Sequence, residues 1–451
     1  MLLRCLQGTP IFSLGLLSLL LGNGSVQPLQ PTRLTTVELV PAWHQSAWIA
    51  QLTAPDPAVE ALVQSYLNQW TAQGLSASAQ GVWIQTGDTV IAQHQGQVPL
   101  SAASLTKLAT TLAALTTWEP THVFTTRIGW TGPIEQGVLQ GDLVLQAGGD
   151  PLFVWEEAFA LGNALAEMGI QQVAGDLRIQ GDFSMNFTAD ATRSGQLLRQ
   201  AWTPSQWPAA ARQQFATLPV GSPRPTIAIQ GDIRVEAMVP EDDADLWRLG
   251  HRSLPLVALL KAMNIYSNNV MADQMAAAVG GPEALQQAVV THTGVPAAEV
   301  RLVNGSGLGE ANQLSARAVV AILKAIQQQL QTDGFSLPDV LPMAGQDQGT
   351  LNGRQLPGDA AVKTGSLARV SSLAGIFPSR ARGLVWFAIL NRGSDLATLR
   401  QQQDQLLLDL QAHWGQGPGG TSTQAKVQLN QAPYRLGDPR RIQPLAGGLT
   451  E

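Results

Sequence analysis

The chain is predicted to be an α/β (α+β) protein, with an antiparallel sheet, accompanying helices and an inserted β-rich module. Residues 360–366, 371–377 and 384–391 are three apolar-rich runs divided by turn residues, the pattern of an antiparallel meander. Leu396, Leu399, Leu406, Leu407 and Leu410 then recur at helical spacing, so a helix over 395–414 closes the domain. Residues 123–240 differ in kind. Strand-like runs at 125–130, 138–146, 173–180 and 226–237 alternate there with Gly141-Asp142, Gly175-Asp176, Gly181-Asp182 and Gly231-Asp232, and one helix over 154–168 interrupts them. The spacing of the Gly-Asp pairs is too irregular for a solenoid, so we expect an insertion.

In chain order, Arg4 followed by an apolar run over 11–21 and then Gly22, Asn23, Gly24 and Ser25 has the layout of a secretory signal peptide, residues 1–25. The run falls short of the roughly 20 residues needed to span a bilayer, so no stable membrane span is expected after cleavage; a short signal anchor or a buried helix is the competing reading. Residues 26–55, rich in Gln, Pro and Thr, read as an extended leader. Val59, Leu62, Val63 and Leu67 then predict a helix over 57–70 started by Asp56-Pro57. Residues 82–84 and 90–92 flank Thr86-Gly87-Asp88-Thr89 as a hairpin. Leu105, Leu108, Ala109, Leu112 and Leu115 share one helical face, which puts Ser104 at a helix start with Lys107 one turn on. Helices over 254–263 and 270–279 leave Ser267-Asn268-Asn269 in the break between them. Residues 415–451, rich in Gly, Pro and Gln without periodicity, are expected to be disordered.

Composition removes several functions. The 451 residues carry a net charge of -6 and no basic run, so nucleic acid is not an expected partner. The lone cysteine, Cys5, precedes the apolar run and would leave with the signal, taking thiol catalysis, cysteine metal ligands and disulfides with it. His44, His94, His122, His251, His292 and His413 show no metal-ligand spacing, and no metal or organic cofactor is expected. Gly415, Gly417 and Gly420 match G-x-G-x-x-G literally but follow a helix and include Pro418, so the context of a dinucleotide loop is missing.

Only five lysines occur, and two of them complete short patterns: Ser104-Leu105-Thr106-Lys107 and Lys363-Thr364-Gly365-Ser366. A serine hydroxyl is a poor nucleophile unless a base adjoins it, and residues i and i+3 of a helix share a face. Lysine serves as that base only if desolvation or a nearby cation lowers its pKa, and Lys363 could be that cation. On a strand, Lys363 and Gly365 point one way and Thr364 the other. Gly365 is expected to leave room for a ligand backbone beside an edge strand. The backbone N–H groups of Ser104 and Ser366 are expected to form an oxyanion hole. The middle motif has two registers, Ser267 with Asn269 or Tyr266 with Asn268. Taken singly, each pattern has a plain structural explanation: a helix cap, an exposed strand lysine, capping Ser and Asn. Their order on helix, loop and strand is what points to serine acyl transfer.

The motif set resembles that of penicillin-binding proteins and active-site serine β-lactamases. More closely, the chain is similar from about residue 81 to 414 to low-molecular-mass penicillin-binding proteins of the D-Ala-D-Ala carboxypeptidase and endopeptidase family, peptidase family S13. Gly148-Gly149-Asp150-Pro151, Ser267-Asn268-Asn269-Val270-Met271-Ala272-Asp273, Asn304-Gly305-Ser306-Gly307-Leu308 with Asn312, Leu341-Pro342-Met343-Ala344-Gly345 and Gly349-Thr350-Leu351 carry the likeness and favour the Ser267/Asn269 register. The chain departs from the family at Ile265, where relatives often carry Lys, at Asn304, usually acidic, at the extra Gln348 and in a shorter insertion.

The resemblance implies a transpeptidase/β-lactamase-like catalytic domain made of residues 56–122 and 250–414, with the β-rich module at 123–249. It implies a periplasmic serine D,D-peptidase that hydrolyses peptidoglycan stem peptides and is acylated by β-lactam antibiotics. Ser104 is then the nucleophile, Lys107 its base and Ser267 a proton relay, while Asn269 holds the substrate amide. Lys363, with Thr364, Gly365 and Ser366, binds the terminal carboxylate. The alternatives are a serine β-lactamase and a non-catalytic peptidoglycan-binding protein.

Overall fold

The computed structural model describes residues 55–238, 246–417 and 425–445, all within one packed unit. The expected signal peptide and all of the leader except Pro55 lie outside the described residues. A five-stranded antiparallel sheet runs in the spatial order Ala361–Leu367, Val370–Ser379, Gly383–Arg392, Gln80–Thr86, Thr89–His94. The N-terminal hairpin thus pairs with the last strand of the C-terminal meander, with Trp83 opposite Ala388. The Lys363 strand is left at one edge.

Side-chain alternation explains why both faces of this sheet are covered. In Gly383–Arg392, Val385, Phe387 and Ile389 enter one apolar cluster, and Trp386, Ala388 and Leu390 enter another on the opposite face. Helices Pro57–Ala72 and Leu396–Trp414 cover the first face through Val59, Val63, Trp70, Leu399 and Leu407. Asp56 and Asp395 accept from Val59 N and Thr398 N, capping these two helices. The second face carries Thr106–Thr117, Leu256–Tyr266, Asn269–Ala278, Gly281–Thr293 and Ala316–Gln331. Removing a side chain such as Phe387, fully buried here, would cost about 3–5 kcal/mol.

The insertion holds a finding the spacing had argued against. Strands Val138–Leu139, Gln172–Val173 and Ala228–Ile229 run parallel, and so do Leu143–Gln146, Leu177–Gln180 and Ile233–Glu236. Between each pair sits a Gly-Asp turn, so Gly141-Asp142, Gly175-Asp176 and Gly231-Asp232 stack as three rungs. Asp142 Oδ1 accepts from Asp176 N at 2.8 Å, and Asp176 Oδ1 accepts from Asp232 N at 2.8 Å. A Cβ on Gly175 would lie 2.6 Å from Gly141 O, and one on Gly231 2.4 Å from Gly175 O, so only glycine permits the stack. The rungs are 34 and 56 residues apart because helices fill the excursions between them. Trp155–Glu167 is one such helix; Ala191–Ala201 and Ala209–Phe215 are two more where a single helix was expected. Phe153, Phe159, Trp202 and Trp207 pack with Ile179 and Leu198 beneath the rungs in a core of their own.

Two expected boundaries also change. Strand Trp247–Arg252 pairs with Thr125–Trp130 in the sheet of the insertion, so residue 250 falls inside a strand of that sheet. Within the tail, 425–445 is ordered: Ile442–Pro444 adds to the edge of Trp247–Arg252, Val427 is buried, and the Arg441 guanidinium bonds the buried Glu157 carboxylate. Burial alone would raise Glu157, but Arg441 and His251 hold it down at about 2. This segment lacks a periodic pattern because its order comes from an existing sheet edge and a buried charge. The Gly148-Gly149-Asp150 segment packs at the same junction. A Cβ on Gly148 would lie 2.1 Å from Thr125 O, and burial pushes the Asp150 carboxyl up to about 6.

Candidate active site

Ser104 lies in the 3-10 turn Ala103–Leu105 that feeds helix Thr106–Thr117. Ala103 is held at φ +47, a left-handed conformation costing roughly 1–2 kcal/mol for a residue with a Cβ. Three contacts hold it there. Ala102 N donates to Asn312 O at 2.9 Å, Ser372 Oγ donates to Ala102 O at 2.8 Å, and Gly307 approaches so closely that a Cβ on it would lie 1.9 Å from Ala103 O.

One turn on, Lys107 is fully buried, and its Nζ lies 3.1 Å from Ser104 Oγ, 2.8 Å from Asn269 Oδ1 and 2.7 Å from Ser306 O. Burial pulls the ammonium down to about 8, with Asp273 pulling back. Asp273 does not touch Nζ: its Oδ1 accepts from Gly305 N at 3.1 Å and Ser306 N at 2.8 Å, which fixes the loop that offers Ser306 O to the lysine. A neutral amine has two N–H groups and one lone pair. The amide and carbonyl oxygens of Asn269 and Ser306 can only accept, so they take the two N–H groups, and the lone pair faces the Ser104 hydroxyl.

Ser267 ends helix Leu256–Tyr266 at φ +51, and Asn268 caps Asn269–Ala278 by accepting from Met271 N at 3.0 Å. The capping role thus falls to Asn268, leaving Ser267 and Asn269 to face the two lysines. Tyr266 is 60% exposed and takes no part in this cluster. Lys363 is fully buried, donating to Ser267 Oγ at 3.1 Å and Thr364 O at 2.8 Å. Burial first and Lys107 second hold its pKa well below the usual lysine range.

A cavity of about 780 Å³ opens beside the edge strand, lined by Ser104, Ser267, Asn269, Thr350, Thr364, Ser366 and Arg400 among others. Two sequence expectations change here. Gly365 makes room for the fold: a Cβ on it would lie 2.2 Å from Ser372 Oγ and 2.9 Å from Ser104 N, on the face turned toward the Ser104 turn. Lys363 shares that face and does not line the cavity, so it supports Ser267 where a direct carboxylate clamp was expected. The remaining predicted residues, Ser104, Lys107, Ser267, Asn269, Thr364 and Ser366, come together at one end of the cavity or directly behind it.

Some contributors were quoted in the sequence without a role. Asp273 stands four residues after Asn269 on the same helix, a spacing that could have marked it as a neighbour of the motif. Asn304 takes the acceptor work of the usual acid: its Oδ1 accepts from Gly307 N at 2.8 Å and Asn312 Nδ2 at 3.1 Å, and its Nδ2 donates to Leu308 O at 2.8 Å. Ile265, a departure from the expected pattern, has its carbonyl accept from Thr350 N at 3.1 Å, anchoring the loop before the Lys363 strand.

The family model described as D-Ala-D-Ala carboxypeptidase 3 (S13) matches residues 60–197 and 224–412. The chain belongs to that family. It is a serine peptidase of the D-Ala-D-Ala carboxypeptidase type, as the motifs implied. Carboxypeptidase DacB of Mycolicibacterium smegmatis is 27% identical over 346 residues, covering 67% of this chain and 73% of the relative. D-alanyl-D-alanine carboxypeptidase DacB of Haemophilus influenzae is 24% identical over 392 residues, covering 65% and 80%. Among solved structures, a penicillin G-acylated predatory endopeptidase from Bdellovibrio bacteriovorus superimposes with a TM-score of 0.67 at 21% identity, covering 81% of this chain and 99% of that one. The last match speaks to fold: a transpeptidase-like sheet with helices on both faces. Among the described residues no helix is long and apolar enough to cross a membrane, and no group of three or more His, Cys, Asp or Glu could hold a metal ion.

Proposed function

We propose that this S13 enzyme cleaves D-Ala-D-Ala-type bonds in peptidoglycan stem peptides through an acyl-enzyme on Ser104, in the periplasm. The observation that carries the assignment of roles is Lys107 Nζ at 3.1 Å from Ser104 Oγ, with both its other contacts made to oxygens that can only accept. The neutral amine takes the serine proton as Oγ attacks the carbonyl of the penultimate D-Ala. The backbone N–H groups of Ser104 and Ser366 receive the developing oxyanion, consistent with the close approach of the Gly365 segment to Ser104 N. With Asn269 Oδ1 bound to Lys107, its Nδ2 is free to hold the substrate amide. Ser267, bonded by Lys363, passes a proton to the leaving amine. Water then hydrolyses the acyl-enzyme by the reverse proton path. β-Lactams acylate the same serine because they mimic the D-Ala-D-Ala dipeptide.

The test pairs two measurements on purified protein. A labelled penicillin should mark the wild type persistently and leave Ser104→Ala unmarked, and a pentapeptide ending in D-Ala-D-Ala should release free D-Ala. Equal labelling of both proteins would sink the nucleophile assignment. Rapid turnover of a chromogenic cephalosporin without D-Ala release would replace the peptidase by a β-lactamase. A cross-linked muropeptide run beside the pentapeptide reads carboxypeptidase against endopeptidase preference.

A further inference from the structure

Charge in the substrate cavity is distributed differently from the motif pattern. A stem peptide lying along the edge strand brings its terminal carboxylate toward the Thr364 and Ser366 hydroxyls, yet Lys363 is sealed behind that strand with its Nζ engaged by Ser267 Oγ and Thr364 O. Two arginines line the cavity. Arg354 is spent: its guanidinium holds Asp404 from Nε at 2.9 Å and from Nη2 at 2.6 Å, and both partners are largely buried. Arg400, on helix Leu396–Trp414, is half-buried and places Nη2 at 2.9 Å from Ser366 Oγ. Among the described residues, no carboxylate lies within ion-pair distance of Arg400. Its guanidinium lies at the Ser366 end of the strand, and of its polar neighbours on the cavity side of the helix Gln401 and Gln405 are uncharged while the Asp404 carboxylate is held by Arg354.

We propose that Arg400 is the cation that reads the C-terminal carboxylate of the substrate, acting with the hydroxyls of Thr364 and Ser366, while Lys363 serves the Ser267 proton relay. This assignment rests on the D,D-peptidase reading above. An arginine donates two parallel N–H groups to a carboxylate, a geometry that a buried lysine bonded elsewhere cannot offer. The hydrogen bond from Arg400 to Ser366 Oγ pre-positions the fork before substrate arrives, and it leaves the Ser366 hydroxyl proton available to the same carboxylate.

The experiment compares a pentapeptide ending in a free D-Ala carboxylate with the same peptide ending in a carboxamide, in wild type, Arg400→Gln and Arg400→Lys. Wild type should prefer the acid by roughly 10- to 100-fold in kcat/KM, the range of a hydrogen bond to a charged group. Arg400→Gln should lose most of that preference through KM, and Arg400→Lys should recover part of it. Labelled penicillin serves as the control for folding and for Ser104. If Arg400→Gln is labelled and still prefers the acid as strongly as wild type does, Arg400 is not the reader and the peptidase reading stands. If wild type is neither labelled nor active on either peptide, the peptidase reading itself fails and this assignment falls with it. Should Arg400→Gln not fold, Arg400→Lys decides: an unchanged preference for the acid with an unchanged KM overturns the proposal, because a lysine lacks the fork.

Discussion

Lys107 and Lys261 sit on helices that pack into the same core, each no more than 1% exposed, and each Nζ has three oxygens within hydrogen-bond distance. Around Lys261 these are Pro338 O at 2.8 Å, Leu341 O at 2.7 Å and the carboxylate of Asp347 at 2.7 Å. Around Lys107 they are a carbonyl, an amide and a hydroxyl, and the nearest acid, Asp273, is turned onto backbone N–H groups. Burial pushes both lysines down, and Asp347 pulls Lys261 back by direct contact. Both therefore stay below the ordinary lysine range. What separates the two is whether a carboxylate touches the nitrogen.

The largest test of that contrast removes the pair it explains. Ser104→Ala should abolish β-lactam labelling, and Lys107→Met should slow acylation by roughly 10²- to 10⁴-fold, the usual share of a general base; stopped-flow acylation with a reporter β-lactam measures both. Asn269→Asp converts one surrounding into the other by placing a carboxylate where an oxygen already lies 2.8 Å from Lys107 Nζ. Acylation below pH 8 should fall about tenfold for each unit by which the lysine pKa rises, and the ascending limb of the pH profile should move to higher pH. An unmoved limb would mean that the carboxylate contact is not the deciding difference.

In the wild type that limb should lie near pH 8, because Lys107 is held at about 8 and acts as the neutral amine. The linkage to stability has a definite sign. Between about 8 and the ordinary lysine value the unfolded chain binds a proton that the fold does not, so stability rises with pH across that window. Thermal melts across it should show the rise, and Lys107→Met should shrink it by that lysine's share, the remainder coming from Lys363 and Lys261, which burial also holds below the ordinary value.

The smallest effect on chemistry belongs to Lys261→Met. It leaves two carbonyls without their lysine and Asp347 with Met343 N at 2.8 Å, and Asp347 keeps 24% of its side chain exposed, so the loss should be roughly 2–3 kcal/mol, below that of a fully enclosed pair. Acylation per folded molecule should stay within about threefold of wild type, with the pH limb unmoved. A shifted limb in this variant would show that the two lysines are coupled.

Much of the catalytic unit was legible because its information is local. The spacing of Ser104 and Lys107 needs only a helix, the alternation in residues 383–392 needs only a strand, and Ser267-Asn268-Asn269 falls at a helix break because Asn268 is a good cap. What escaped depends on partners distant in sequence. Gly365 and Lys363 were placed on one face of their strand, but nothing local says that the Ser104 turn closes over that face. Helices Gly281–Thr293 and Ala316–Gln331 were not identified, although Val319, Ile322, Leu323 and Ile326 form an apolar face on the second. Arg400 stood unremarked on a helix read only for its leucines.

The stacked Gly-Asp turns also bear on how this insertion can change over evolutionary time. Each rung is closed by its own glycine and aspartate, and the chain leaves and returns to the stack through detours of unequal length. Loop length adds little to the entropy of closure, so helices within the detours can be gained, shortened or lost while the rungs keep their register. Insertions and deletions should therefore be tolerated at the exposed turns of the detours, around residues 166–169 and 216–224, and should be excluded from 148–157, packed at the junction with the tail, and from the few residues around Asp142, Asp176 and Asp232. The spacing that obscured the repeat is thus the part of the module most open to variation.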